Sequence, residues 1–352
     1  MTTNGTAVEA RSRVLSWAAL GVVYLVWGST YLAIRVGVGH LPPLLFAGTR
    51  YVIAGALLYP IARRAASRGR GPAQDGAAQD SAAQDSAAQD SARPGARAWL
   101  AGAVIGILLL FAGNGGVTVA ETRLPSGFAA VLVATVPLWM IVFAWPMQHQ
   151  RVSFRSAVAL AVGLGGVIIL VGGGTASGHI SGVIIVLGAA AAWGFGSVLS
   201  HRLAVPSHAM LAAAIEMLAG GVVLLAVGAG SGEFARVHWS SIPATSWIAL
   251  AYLIGPGSIL AFTAYGYALS HLPVTTVSTY AYVNPVVAVL AGIVILGEQF
   301  TWREGLGAAL VLVSVIITLR RSHGASRPAP ARDGEIPEAE TLPADTGALS
   351  RR

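Results

Sequence analysis

Cysteine and lysine are both missing from this chain, and asparagine occurs only three times in 352 residues. Without cysteine there are no disulfides, no thiolate metal ligands and no thiol nucleophile. Without lysine there is no Gly-x-x-x-x-Gly-Lys loop to cradle phosphates, which excludes ATP hydrolysis of that kind. Charge is scarce too: 11% of residues are charged and 55% are hydrophobic, where soluble domains carry about a quarter charged. Neither His-Glu-x-x-His nor Gly-x-Ser-x-Gly occurs, and the long apolar runs hold no Asp. Intramembrane zinc, serine and aspartyl chemistries therefore lack their residues. An enzyme is not expected, and neither a metal nor a cofactor.

What fills the chain instead is apolar runs of membrane-crossing length, which need about 20 residues each. The sequence predicts ten: about 16–37, 44–62, 98–120, 126–146, a charge-free stretch 156–200 split near Gly172–His179, then 208–227, 247–269, 274–296 and 302–319. The formal charge of +7 comes with arginine as the sole basic residue besides histidine. One set of loops holds Arg11, Arg13, Arg63, Arg64, Arg68, Arg70, Arg93, Arg97, Arg151, Arg155, Arg202, Arg320 and Arg321; the alternate set holds Arg123, Arg236 and Arg303. That asymmetry is a topology signal and not a nucleic-acid stripe, and it puts both termini in the cytoplasm of a bacterial plasma membrane. Residues 1–13 read as a cytoplasmic N-terminus and 321–352 as a disordered cytoplasmic tail. A linker over 66–96 contains four Ala-Gln-Asp-Gly/Ser-Ala pentads, too small and polar to bury a core.

An internal echo organises the rest. Leu124-Pro125 and Pro137 recur 148 residues later as Leu272-Pro273 and Pro285, while Trp27-Gly28 recurs 166 later as Trp193-Gly194. The difference between the offsets is close to the length of the pentads. Two five-span halves follow, 14–174 and 181–320, and an odd span number inserts the second upside down, as in many secondary transporters.

Charges inside spans are costly, so each needs a reason. Arg50 and Glu216 are 166 apart and read as facing the interior between the halves, where they pair or bind polar solute groups; Glu216 is a candidate proton-coupling site. A structural ion pair is the plainer alternative. Arg35 and His201, at the same offset, are possible gate residues, with interfacial snorkelling the alternative for Arg35. Asn114 and Asn284 sit beside glycine or proline within spans, where freed backbone groups are tolerable only against protein or a wet cavity. Pro137 and Pro285 are expected to kink their helices. Trp27, Tyr31, Trp139, Trp193, Tyr265, Tyr280 and Tyr282 are candidate cavity aromatics suited to amphipathic solutes.

In this order Trp27-Gly28-Ser29-Thr30-Tyr31 with Arg35, Leu41-Pro42-Pro43, Arg50 with Ala54-Gly55, Gly113-Asn114-Gly115, Ala129–Trp139, Ser278–Val287 and Leu296-Gly297-Glu298 resemble the EamA-type family of the drug/metabolite transporter superfamily. The resemblance covers about 16–320. It implies an all-α membrane protein of ten helices in two inverted five-helix repeats, exporting amino acids, metabolites or drugs, with a small-molecule substrate and the bilayer as partners and protons as a possible coupling ion. An uncoupled facilitator and a non-transporting sensor or scaffold are the rival readings.

Overall fold

The computed structural model describes residues 3–68, 94–148, 153–172, 180–206 and 208–321. The pentads, the segment between the fifth and sixth spans, and the tail lie outside them. The described residues are helical and contain no strand. In chain order the helices are α1 (Thr3–Val38), α2 (Pro43–Arg68), α3 (Ala96–Ala120), α4 (Ser126–Met147), α5 (Phe154–Val171), α6 (Ile180–Ser200), α7 (Ala209–Gly230), α8 (Ala244–His271), α9 (Tyr280–Leu296) and α10 (Trp302–Arg321). Among the described residues, eight are long and apolar enough to cross a membrane, and α9 is a shorter apolar helix. α9 falls short because the one-turn helix Val274–Val277 is cut from it at Ser278-Thr279.

Several boundaries differ from those expected. The N-terminal arm is helical from Thr3, and α2 runs to Arg68, into the expected linker. Ala, Arg and Glu favour helix even where no bilayer supports them. The fourth span breaks at Ala134-Thr135 and resumes at Val136, so Pro137 stands in a first turn, where its missing N–H leaves nothing unpaired. Pro285 lies within α9, as do Pro60 in α2 and Pro146 in α4.

α3 and α8 each widen midway into a π-helical segment, Ile107–Gly115 and Gly255–Leu260, whose starts are 148 residues apart. Pro256 cannot donate to the preceding turn, and the glycines around Asn114 bring no side chain to hold a tight one.

Close backbone approach holds the bundle together. A Cβ on Gly48, Gly55 or Gly221 would stand 2.9 Å from Leu225 N, 3.0 Å from Leu218 N and 2.8 Å from Val52 N respectively. Each step forward along α2 is matched by an equal step back along α7, so the two cross antiparallel. α5 and α10 do the same: a Cβ on Gly163 would stand 2.8 Å from Ser314 Oγ, and one on Gly166 2.8 Å from Val311 N. A third repeated contact joins α1 to α9 and α6 to α4. A Cβ on Gly28 would lie 2.6 Å from Val287 Cβ, and one on Gly194 2.7 Å from Trp139 Cβ. Gly28 and Gly194 are 166 apart; Trp139 and Val287 are 148 apart.

Candidate functional site

Arg50 is 5% exposed on α2, and its Nε donates to Ser258 Oγ at 3.1 Å. Ser258 in turn donates to the Leu253 carbonyl across the π segment of α8. The guanidinium also lies 4.7 Å over the Tyr51 ring. Of the three Arg50 guanidinium nitrogens, Nε is the one with a hydrogen-bond partner among the described residues, which leaves the outer fork for a planar anion. Ser258, Phe262 and Tyr265 follow one another along one face of α8. From α1, Trp27 packs against Phe262, Tyr265 and Tyr280, with ring centroids 5.3, 5.2 and 5.2 Å away; Tyr265 and Tyr280 meet edge to face at 5.7 Å. One turn beyond Tyr280, Asn284 is buried and its Oδ1 has no hydrogen-bond partner. A buried amide oxygen left unpaired costs about 1–3 kcal/mol. It is therefore a natural acceptor for a donor that comes and goes. A buried cation on α2, an aromatic wall from α1, α8 and α9, and an open acceptor on α9 thus stand on helices packed against one another.

The other expected residues lie elsewhere. Trp139 stacks on Phe143, which meets Phe195 edge to face, and a Cβ on Gly113 would come within 3.1 Å of Trp193. Trp139, Phe143 and Phe195 form a second aromatic patch between α4 and α6, while Trp193 lies against α3. Tyr31 and Tyr282 pack against the core around Phe128 and Val131. Asn114 sits in the π segment of α3, where its carbonyl accepts from Thr118 Oγ1 at 2.8 Å. His201 is exposed at the far end of α6.

Arg50 and Glu216 do not pair. In the antiparallel crossing Arg50 lies opposite Val223 and Glu216 opposite Leu57, so seven residues, about 10 Å, separate them along the axis. Positions that correspond by the offset fall on opposite sides of the crossing point. Glu216 is half-buried beside Gly106 of α3.

Arg35 belongs to a vestibule of about 690 Å³ at the end of the bundle opposite the arginine-rich loops, lined also by His40, Thr122, Pro125, Glu298 and Gln299. Two glutamates fasten this end. Glu298 accepts from Ser126 N (2.7 Å), Ser126 Oγ (2.9 Å) and Gly127 N (3.2 Å) at the start of α4. Glu233 accepts from Leu45 N at 2.9 Å at the start of α2. Each meets the positive end of a helix that begins with a proline turn. Charged hydrogen bonds of this kind contribute about 1.5–3 kcal/mol. Glu298→Ala is accordingly expected to lower the thermal unfolding midpoint by several degrees, with Glu298→Gln, which keeps one acceptor, in between. Equal midpoints for all three proteins would refute the clamp.

Sequence reading missed Ser258, Glu233 and the buried Glu121. Serine in an apolar run carries no signal of its partner, and the two acids sit in loops.

Comparison with known proteins agrees with this architecture. The model of the EamA-like transporter family matches twice, over residues 85–172 and 180–320. The uncharacterized inner membrane transporter YedA of Escherichia coli (strain K12) is 38% identical, over 86% of this chain and 89% of its own length. A probable terminal-alkyne amino-acid exporter of Streptantibioticus cattleyicolor is 26% identical over 88% of this chain and 95% of its own. A solved crystal structure superposes with a TM-score of 0.55 at 20% identity, covering 89% of this chain and 99% of that one; at that identity it speaks for the fold alone. The chain belongs to the EamA-like transporter family and is a multi-pass secondary transporter of the bacterial inner membrane.

Proposed function

We propose that the chain exports amino acids and related small metabolites, holding the solute's carboxylate on Arg50 and its side chain against the wall of Trp27, Tyr265 and Tyr280. The observation that carries this reading is the buried guanidinium with its outer fork free at the end of an aromatic row. A bidentate carboxylate fits that fork, and an apolar or aromatic side chain fits the wall. The printed name of the Streptantibioticus cattleyicolor relative, an amino-acid exporter, supports the same substrate class.

In this reading ten spans form two oppositely inserted halves, 14–174 and 181–320, with both termini in the cytoplasm. The repeated glycine contacts at offsets 148 and 166, the two π segments 148 apart and the double family match support it. Halves related in this way can exchange conformations and so open the site to either side. The vestibule with Arg35 then lies on the external face, held closed by Glu233 and Glu298 from the second half clamping helices of the first. Asn284 on α9 and Asn114 on α3 line the path, and Glu216 lies toward its cytoplasmic side.

Counterflow in proteoliposomes tests the proposal. Unlabelled amino acid inside is expected to accelerate entry of labelled amino acid severalfold, and a panel of cationic drugs is expected to leave it unchanged. Uptake driven by a pH gradient marks coupling, and exchange without one marks a facilitator. Flux of neither amino acids nor drugs would overturn transport as the function and leave the sensor or scaffold.

A further inference from the structure

Glu121 is 0% exposed, directly after the end of α3, and neither of its carboxylate oxygens has a hydrogen-bond partner. Its neighbours along the chain, Ala120 and Leu124, are also fully buried. An ionised carboxylate in such a place would be costly beyond the reach of packing to offset. Yet the wall of the vestibule is immediately beside it, in Thr122, Pro125, Arg35 and Glu298.

We infer that Glu121 is a proton-binding site that governs the vestibule: neutral while covered, ionised and paired with Arg35 when the vestibule opens. This rests on the reading of that vestibule as the external mouth of the transport path. The groups that face Glu121 are Arg35 and Tyr31 of α1, Arg50 of α2 and Glu298 of the loop before α10; on its own segment Thr122 and Arg123 turn to the surface. Arg35 does not reach the carboxylate here; its guanidinium donates to the Glu121 carbonyl oxygen. A side-chain rotation separates that contact from a true ion pair, and water admitted by opening would favour it. Burial first, and the Glu298 carboxylate second, hold the Glu121 carboxyl well above the usual carboxylate range, against the pull of Arg35 and Arg50. The sign follows: a carboxyl raised in the closed form stabilises that form while protonated and loses this as pH rises. On opening, the proton leaves Glu121 for external water; on closing, one returns from it.

The test needs no substrate, because the chain has no cysteine of its own. Thr118, one turn before Glu121 and 2% exposed, is replaced by cysteine, and its reaction with a membrane-impermeant maleimide is followed in proteoliposomes. Rates are divided by those of an exposed Thr122→Cys reporter. The expected result is a severalfold rise from mildly acidic to alkaline pH, flat in Glu121→Gln, shifted in Glu121→Asp and intact in Glu216→Gln. A rise that persists in Glu121→Gln, or that vanishes in Glu216→Gln instead, overturns the assignment. Should Glu121→Gln not fold, infrared difference spectra of the unmodified protein decide: a protonated-carboxyl band must disappear with rising pH and move in Glu121→Asp, and its absence overturns the proposal. Neither readout depends on amino acids being the solute.

Discussion

Replacing Gly307 by valine is expected to remove nearly all folded protein, while the same change at Gly305 or Gly165 leaves the yield close to that of the parent. A Cβ at Gly307 would lie 2.5 Å from Leu170 N and 2.7 Å from Gly166 O. Both are backbone atoms of α5, so no side-chain rotation relieves the overlap and the α5–α10 pair must separate. Tightly packed interiors resist even one added methylene, at about 1–3 kcal/mol. Here a whole helix contact is displaced, in a medium where helices associate through packing because lipid is as apolar as they are. Gly165 and Gly305 have open space at the same positions, and valine suits a lipid-facing surface. Monodisperse protein after detergent extraction should fall at least about tenfold for Gly307→Val, corresponding to roughly 1.4 kcal/mol or more. Comparable yields for all three variants would mean that the close approach contributes little.

Most of the scaffold was open to sequence reading, and for a physical reason. A single segment that spans on its own must be long, apolar and helical, because only a helix satisfies all its backbone hydrogen bonds within the segment. The runs near 44–62, 126–146 and 208–227 therefore fell close to α2, α4 and α7. What the bilayer does not dictate was less legible. The cut at Ser278-Thr279 and the π segments depend on packing across the bundle. The aromatic wall was half legible: Trp27, Tyr265 and Tyr280 converge, whereas Trp139 belongs to a separate patch and Trp193 lies against α3. Arithmetic on the repeat put Arg50 and Glu216 at equivalent positions, to pair or to bind polar solute groups, but an antiparallel crossing sends corresponding residues apart and leaves no pair. Glu121 looked like loop punctuation, since nothing in Glu-Thr-Arg-Leu-Pro says which residue folds beneath the turn.

Removing the Arg50 guanidinium should sharply weaken amino-acid transport without unfolding the bundle, and this is the change that bears most directly on the substrate. Arg50→Met keeps much of the volume and the apolar stem while taking away charge and fork. Arg50 hydrogen-bonds a neutral serine and not a carboxylate, so its removal strands no opposite charge, and Ser258 still donates to Leu253. Amino-acid flux, in contrast, loses its carboxylate anchor, and a bidentate charged contact is among the stronger single interactions available. Exchange should fall by a factor on the order of ten or more, since each 1.4 kcal/mol of lost binding is tenfold. Arg50→Lys should recover little of this, because an ammonium cannot reproduce the planar fork. The informative control is the solute: amines that lack a carboxylate should be unaffected by Arg50→Met if they are carried at all. Full amino-acid exchange by Arg50→Met in folded protein would return Arg50 to a structural role and move the carboxylate site elsewhere in the bundle.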